Sequence, residues 1–514
     1  MDISSRPSAP TPKFVCRALP GENFLLPNVH IYDPQNEIDV VGDLLVEEGK
    51  IAAFGSFGER PPGLEVLNRY EGCWVFPGFV DPHVHLRTPG FEYKEDLASG
   101  SRAAAAGGYV ALLAMANTEP VIDNGPLAAW IFAQAASDAV VRIGQVGAVS
   151  KNLAGEELTE MYELAEAGVA AFSDDGKPLD SAGLLLQALR YAKGTGRPLL
   201  LHLEDRSLSA DGVMHEGKWS AKLGLCGIPS VAESGPMARD LELVHYMQAE
   251  NERLATVCAK SGLTADALFT TSATSALTEN VPPVSASLPA SPNTAATDVI
   301  NRIVPAVTET PLIHFQHLST AESVALLRKA KTEGLLVTAE VTPEHLLFTD
   351  ERLTSFNANY KINPPLRSEE DRTALVEALA EGIIDCIATD HAPHALHEKE
   401  VPIEEAPSGS ITLEVAFAAL YTGLVKTGQL SLDRLIKVLS AGPCKVMGIA
   451  KPSLEVGEVA NFCVVHLEET WAVTLSDLQS KSCNCAFLGE TLTSRVGLTV
   501  VDGVRRFARN RDSA

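Results

Sequence analysis

Eight short apolar segments alternate with amphipathic helical segments through most of the chain, from about residue 76 to residue 448. The stretches GEELTEMYELAEAG and SAGLLLQALRYAKGTG are two examples of the helical pattern. The eight apolar segments, read as strands, end at His85, Asn117, Ser150, Asp175, Glu204, His317, Val341 and Asp390. Eight strands alternating with helices are typical of a (β/α)8 barrel of the TIM type, in which functional side chains lie at the carboxyl ends of the strands. We therefore predict an α/β fold built on such a barrel.

The parts of the chain outside this alternation have other characters. Residues 14–75 and 449–510 contain short alternating strands and turn signals, and we expect them to pair into one small composite β-sandwich. Residues 1–13 are predicted to be a flexible polar tail. A stretch around 260–300 is rich in Ser, Thr, Ala and Pro, so it cannot offset its ordering entropy by burial. We predict that it is a disordered insertion in the barrel and serves as a spacer.

Charge and hydropathy exclude several classes of partner. The formal net charge is −25 over 514 residues, which argues against nucleic acid and against an anionic membrane surface. An anionic substrate would therefore have to be captured by local positive groups. No apolar run approaches the roughly 18–20 residues needed to cross a bilayer, and the N-terminus lacks the pattern of a signal peptide. Nine cysteines without metal-ribbon or redox spacing fit a reducing compartment, so we expect a cytoplasmic protein.

Metal-capable side chains collect at the predicted strand ends. His83 and His85, in FPGFVDPHVHLRTPG, are two positions apart and therefore share one face of a strand. Alone, this pair would more often be two buried histidines bonded to the backbone. The full set of candidate ligands is His83, His85, Asp175, His202, His317 and Asp390. Four imidazoles and two carboxylates favour zinc and exceed the needs of one tetrahedral ion, so we predict two metal ions.

One carboxylate must bridge such a pair of ions. Asp175 in FSDDG is our choice, and the adjacent Asp174 stays an alternative. Two cations bridged by water lower its pKa from 15.7 toward ~7, which provides hydroxide for the hydrolysis of an unreactive amide. Asp390 in IATDHAPH is predicted to be the catalytic base and then acid, although an Asp there can also be a simple helix cap.

Other residues near the strand ends suggest the substrate. Arg87 can bind a carboxylate through two parallel hydrogen bonds, and Asn117 and His394 can complete that contact. Asn363, in KINPPLR, can recognise an amide or imide edge. Each of these residues singly is more often a loop or turn residue. Together they predict a pocket for a small, anionic, amide-bearing ring.

Ten stretches in order resemble dihydroorotase, the cyclic amidohydrolase of pyrimidine biosynthesis, in its bacterial type with aspartate as the bridging ligand. They include PGFVDPHVHLRTPG, MANTEP, FSDDG, LHLED, GIPSVAE, HLST, EVTPEHL, NPPLRSEEDR and ATDHAPH. The resemblance implies that two zinc ions are held by the six residues named above, and that Arg87, Asn117 and His394 bind a substrate carboxylate. It also implies that Asn363 contacts the ring and that the loop with Pro407 and Gly409 offers backbone contacts. The implied reaction is reversible hydrolysis of dihydroorotate to N-carbamoyl-aspartate. The implied partners are a second copy of the chain and aspartate carbamoyltransferase.

Near the predicted site, three positions depart from the family pattern. Ala116 stands where proline is usual, Glu344 stands where histidine is common, and Thr412 replaces the second glycine of the loop that begins at Pro407.

Two other functions stay open at this level. Hydantoin, dihydropyrimidine or allantoin ring opening would use a carboxylated lysine as the bridge, but the only nearby lysine, Lys177, lies beyond the strand. Such neutral rings would also leave Arg87 without a partner. A catalytically inactive scaffold for a carbamoyltransferase would lose metal ligands, whereas every ligand position here is filled.

Overall fold

The computed structural model describes residues 10–56, 63–261 and 311–509. Most of the predicted tail, residues 1–9, and most of the predicted insertion, residues 262–300, lie outside the described residues. The strands are β1 Phe24–Asp33, β2 Ile38–Glu47, β3 Lys50–Gly55, β4 Glu65–Val66, β5 Trp74–Pro77, β6 Phe79–Val84, β7 Tyr109–Ala114, β8 Arg142–Gly147, β9 Ala171–Phe172, β10 Leu199–Leu201, β11 Met214–His215, β12 Gly227–Ile228, β13 Ile313–Phe315, β14 Val337–Val341, β15 Cys386–Ile387, β16 Phe462–Ala472, β17 Thr491–Val501 and β18 Val504–Ala508.

The helices are α1 Leu97–Ala106, α2 Gly125–Asp138, α3 Met161–Ala167, α4 Ala182–Thr195, α5 Arg206–Ser209, α6 Lys218–Leu223, α7 Val231–Ser261, α8 Ala321–Thr332, α9 Pro343–Leu347, α10 Glu369–Glu381, α11 Leu396–Lys399, α12 Ala416–Leu420, α13 Leu432–Leu439 and α14 Ala441–Met447. Of the helices in the described ranges, none is both long and apolar enough to cross a membrane.

Eight parallel strands form the barrel, in the order β6-β7-β8-β9-β10-β13-β14-β15. A parallel bridge between Val84 and His391 joins the two ends of this sheet and closes the barrel, with the His85 N–H donating to the His391 carbonyl at 2.9 Å. The observed strands stop up to three residues before the predicted ends, so the predicted polar residues lie in the loops at their carboxyl edge. The predicted fold class is therefore confirmed.

Local sequence signals explain where the barrel helices begin and end. Asp96 accepts a hydrogen bond from the Ser99 N–H at 2.7 Å at the start of α1, and Thr320 caps α8 through the Ser323 N–H. Helix α4 ends at Gly196, whose φ of +69° favours glycine. The helices pack apolar faces against strand bodies that are almost entirely buried, such as YVALLA in β7.

Both ends of the chain contribute to a second sheet of eight strands. Its order is β18-β17-β16-β5-β1-β2-β3, and β4 pairs with β1. The sheet curls back on itself, since the Ile51 N–H donates to the Glu458 carbonyl just before β16. Gly49 and Gly503 approach so closely that a Cβ on Gly503 would lie 2.1 Å from the Gly49 Cα. The predicted pairing of the terminal segments thus takes the form of one curled sheet around its own apolar core.

The first described residues contact both the barrel and this sheet. The Lys13 N–H donates to the Gly168 carbonyl at 2.9 Å, and Val15 pairs with Ile143 of β8. Residues 14–17, which we predicted to belong to the composite β unit, therefore lie against β8 and also contact the second sheet, where Arg506 in β18 donates to the Arg17 carbonyl.

Candidate active site

Six side chains from five strand ends converge at the carboxyl edge of the barrel. The Asp175 Oδ1 atom lies 3.6 Å from His83 Nε2, 3.7 Å from His202 Nδ1 and 3.8 Å from His317 Nε2. The Asp175 Oδ2 atom lies 3.4 Å from His85 Nε2. Asp175 is thus shared by two donor groups, His83–His85–Asp175 and Asp175–His202–His317, which we call the first and second triads.

The sixth residue, Asp390, lies next to the two histidines of the first triad. Its Oδ1 atom is 3.0 Å from His85 Nε2 and 3.5 Å from His83 Nε2. Its side chain is 19% exposed, whereas that of Asp175 is only 6% exposed. Asp390 is therefore the carboxylate of the cluster that faces outward.

The neighbouring Asp174 turns away from the cluster. Its carboxylate accepts from the Val149 N–H at 2.8 Å and from the backbone and hydroxyl of Ser150, in the loop after β8. The geometry therefore makes Asp175 the carboxylate placed to bridge and gives Asp174 a loop contact.

Backbone geometry at the strand ends directs these side chains. His83 and His85 alternate along β6 and its continuation, so both face the barrel axis. His317, Asp390 and Arg87 all have positive φ values, of 33°, 45° and 60°. Such conformations are uncommon for non-glycine residues and concentrate at functional sites.

The electrostatics of the cluster favour added positive charge. Burial alone would lower the pKa of His83, yet Asp175 and Asp390 together with Glu340 raise it well above its ordinary value. Burial alone would raise the pKa of Asp175, but His83, His317 and His85 hold it well below the usual range. Imidazole and carboxylate groups around one centre are the donor set of a divalent transition metal. The two triads therefore fit two such ions that share Asp175.

Sequence reasoning missed two buried polar residues beneath the cluster. The Glu340 Oε1 atom is 2.7 Å from His83 Nδ1, and its Oε2 atom is 3.0 Å from His314 Nε2. Burial would raise the pKa of Glu340, but His83 and His314 lower it to about 2. A charged residue inside the apolar strand segment LLVTAEV was the signal that could have found it.

A cavity of about 240 Å³ opens above the cluster. It is lined by His85, Arg87, Asn117, Asp175, Gly176, His202, His317, Asn363, Asp390, Ala392, His394, Ser408 and Gly409. All the predicted substrate-binding residues except Pro407 are in this lining. Their meeting in one small cavity agrees with the prediction of a small substrate.

Arg87 is placed to meet an anion. Its Nε–H donates to the Pro393 carbonyl at 3.2 Å, and within the described chain it forms no ion pair at 4 Å or less. Burial lowers the pKa of the guanidinium, although Asp390 and Asp175 oppose this. Its terminal nitrogens are therefore available to a carboxylate in the cavity.

Asn117 and Asn363 bond to the cluster itself. Asn117 accepts from His85 Nδ1 at 3.0 Å and donates to Asp175 Oδ2 at 3.3 Å. Asn363 donates to Glu204 Oε2 at 3.2 Å, and Glu204 also contacts His202 Nε2 at 3.2 Å. Both amides thus hydrogen-bond to side chains of the cluster, His85 and Asp175 for Asn117 and His202 for Asn363, and both also line the cavity.

His394 and Gly409 meet at the outer wall. His394 Nε2 donates to the Ser408 carbonyl at 2.9 Å, and burial, with Arg87 nearby, lowers the pKa of His394 to about 3. The imidazole is therefore neutral here. The buried Lys399 ammonium donates to the Pro407 carbonyl at 2.8 Å and the Gly409 carbonyl at 3.0 Å, so it fixes the loop from inside.

Two of the three departures from the family pattern contact each other. The Thr412 hydroxyl donates to Glu344 Oε1, while Glu344 Oε2 is buried without a partner in the described structure. Burial raises the pKa of Glu344 to about 7. The third departure, Ala116, is fully buried and accepts through its carbonyl from the Thr118 N–H at 2.9 Å.

Comparisons with known proteins agree with this geometry. A family model described as "Dihydro-orotase-like" matches residues 72–249. A protein named dihydroorotase from Geobacter metallireducens is 37% identical over 481 residues, which cover 94% of this chain and 98% of that protein. Another, from Syntrophus aciditrophicus, is 39% identical over 481 residues, covering 93% and 98%.

Solved structures show the same architecture at lower sequence identity. An L-hydantoinase (dihydropyrimidinase) from Arthrobacter aurescens has a TM-score of 0.69 at 22% identity, covering 94% of this chain and 95% of its own. That similarity establishes the fold alone. The family is established by the 37% and 39% sequence identity to the two dihydroorotases, which extends over nearly the full length of the chain. The chain belongs to the dihydroorotase family.

Proposed function

We propose that this chain catalyses the reversible hydrolysis of (S)-dihydroorotate to N-carbamoyl-L-aspartate. The observation that carries the proposal is that one cavity of about 240 Å³ is lined both by five of the six cluster residues and by an arginine without an ion pair among the described residues. Hydrolysis of a cyclic amide needs the ligand cluster, and binding of the substrate carboxylate needs the arginine.

We propose that the cofactor is a pair of zinc ions held by His83, His85, Asp175, His202, His317 and Asp390. When bound, such ions lower the pKa of a water molecule toward neutrality and polarise the carbonyl that is attacked. Support comes from the two buried triads that share Asp175 and from the carboxylates that favour positive charge between them.

Asp390 is the proposed catalytic residue. It is the more exposed of the two cluster carboxylates, so it can reach both the attacking water and the substrate nitrogen. Its carboxylate takes a proton from the water as oxygen adds to the ring carbonyl carbon. It then returns that proton to the ring nitrogen as the carbon–nitrogen bond breaks, which gives the open-chain ureido acid.

The remaining residues orient the ring. Arg87 binds the substrate carboxylate through its terminal nitrogens, and Asn117 and His394 flank that position in the cavity. Asn363 and the backbone of Gly409 also line the cavity, and we assign them to the ring amide and imide groups. Pro407 contributes by its carbonyl contact to Lys399, which holds the loop.

The experiment is an assay of the purified full chain with dihydroorotate and with N-carbamoyl-aspartate, using allantoin and dihydrouracil as control substrates. We expect turnover of the first two and little turnover of the controls. Preference for a neutral ring would refute the assignment, and metal analysis that finds no metal would favour the inactive scaffold. In line with the family resemblance, we further propose a cytoplasmic homodimer that associates with aspartate carbamoyltransferase.

A further inference from the structure

The interior of the barrel beneath the ligand cluster is unusually polar. Barrel interiors are normally filled by branched apolar side chains. Here β13 and β14 direct His314 and Glu340 inward, and both side chains are fully buried. Burying an ionised carboxylate is costly unless it is fully hydrogen-bonded. The presence of Glu340 at this buried position therefore indicates that it has a function.

The hydrogen bonds of Glu340 indicate which ring nitrogen of each neighbouring histidine carries a proton. An ionised carboxylate only accepts, so His83 donates through Nδ1 at 2.7 Å and His314 donates through Nε2 at 3.0 Å. The Thr338 hydroxyl then donates to the free Nδ1 of His314 at 2.9 Å. In this arrangement Nδ1 of His83 carries a proton, and Nε2, the atom that lies 3.6 Å from Asp175 Oδ1, is the nitrogen that would face a metal ion.

Glu340 also reaches the second triad. Its Oε1 atom accepts from the backbone N–H of His317 at 3.4 Å. One carboxylate therefore contacts His83, from the first triad, and the strand end that carries His317, from the second.

A different reading is that Glu340 is itself a ligand of a third metal. Its carboxylate, His314 and Cys386 offer atoms within 4.8 Å of one another. However, both Glu340 oxygens already accept hydrogen bonds from histidines, and burial keeps the pKa of the Cys386 thiol well above its ordinary value. The hydrogen bonds favour a supporting role.

We propose that Glu340 is a positioning residue that supports both metal sites, and that His314 and Thr338 hold Glu340 in place. The inference rests on the proposed function, because it assumes that the two triads bind metal. Carboxylate partners of ligating histidines fix the tautomer and raise the basicity of the ligand, and their loss typically weakens metal affinity by about 10–100-fold.

The test uses Glu340→Gln in the full chain, with zinc affinity measured by chelator competition. We expect an affinity about 10–100-fold below that of the parent, with loss of both ions and not of one. The visible spectrum of the cobalt(II)-substituted protein should also change, because the ligand field at the first triad depends on how His83 is held. A purely structural role for Glu340 would lower stability and leave that spectrum unchanged.

Glu344→Gln is the matched control. It replaces the carboxyl of another buried glutamate four positions along the chain, which hydrogen-bonds to Thr412 and, among the described contacts, to none of the six cluster residues. We expect the zinc affinity and cobalt spectrum of the parent. Thr338→Val is a milder second variant that removes only the hydroxyl on His314, and we expect a smaller loss of affinity in the same direction.

The outcomes separate this inference from the proposed function. If the parent binds two ions and hydrolyses dihydroorotate while Glu340→Gln and Thr338→Val match its affinity and spectrum, the positioning role is refuted and the proposed function stands. If the parent binds no metal, both proposals fall together.

Discussion

Replacing Arg87 by alanine tests how the substrate is recognised. The Arg87 side chain reaches the cavity but donates to none of the six cluster residues, since its Nε–H is bound to the Pro393 carbonyl. Two terminal nitrogens remain to meet the two oxygens of a carboxylate. The change should therefore remove substrate affinity and leave metal content at the parental level.

The size of the effect follows from these contacts. A hydrogen bond to a charged group contributes about 1.5–3 kcal/mol, so two of them set an upper range of about 3–6 kcal/mol. The remaining polar groups around the carboxylate, among them Asn117, reduce the loss toward the lower end. At 1.36 kcal/mol for each factor of ten, we expect kcat/KM for dihydroorotate to fall on the order of 10²–10³-fold.

The assay is steady-state hydrolysis together with metal analysis of each variant. We expect most of the loss in KM, because the carboxylate lies away from the amide that reacts. Arg87→Lys keeps the charge without the planar fork and should be intermediate. Arg102→Ala, on the exposed face of α1, is the matched control and should behave as the parent. A kcat/KM for Arg87→Ala within about threefold of the parent, at full metal content, would refute the carboxylate contact.

Three further predictions concern carboxylates. Asp175→Asn should lose bound metal while Asp174→Asn retains it, as measured by mass spectrometry of the metal; equal loss in both would contradict the assignment of the bridge. Asp390→Asn should lower kcat by about 10²–10⁴-fold, and a near-normal kcat would exclude proton transfer by this group. Burial raises the pKa of Glu344 from 4.5 to about 7, so the native state keeps a proton that the unfolded chain releases. Stability should therefore fall as pH rises from about 4.5 to 7, by on the order of 3 kcal/mol, and Glu344→Gln should abolish that fall in urea unfolding at pH 5 and 8. Parallel pH profiles of parent and variant would show that Glu344 is not buried as a neutral acid.

The sequence predicted the barrel and the convergence of the six candidate ligands because both follow from short-range rules. The period of two in β6 places His83 and His85 on one face, and polar residues after an apolar strand lie at the carboxyl edge of a barrel. The same rules could not choose between Asp174 and Asp175. Strand β9 contains only two residues, so alternation does not extend to the loop where both aspartates lie.

Long-range contacts account for what the sequence did not predict. Glu340 was read as part of an apolar strand, since its partners His83 and His314 come from other strands. The contact between Glu344 and Thr412 joins positions 68 residues apart, so two separate departures from a motif could not be recognised as one pair. Which residues of the loop near Gly409 line the cavity also depends on how Lys399 holds its carbonyls.

The pairing of β5 with β16 has a consequence for how this protein is made. A ribosome completes β1 to β5 long before it reaches residues 462–472, so the growing chain carries an open strand edge while the whole barrel is synthesised. We therefore expect a truncation just after α14 to aggregate even though every residue of the cluster and the cavity is present. The residues after Met447 contribute no group to the described lining of the cavity, yet the second sheet cannot be completed without them.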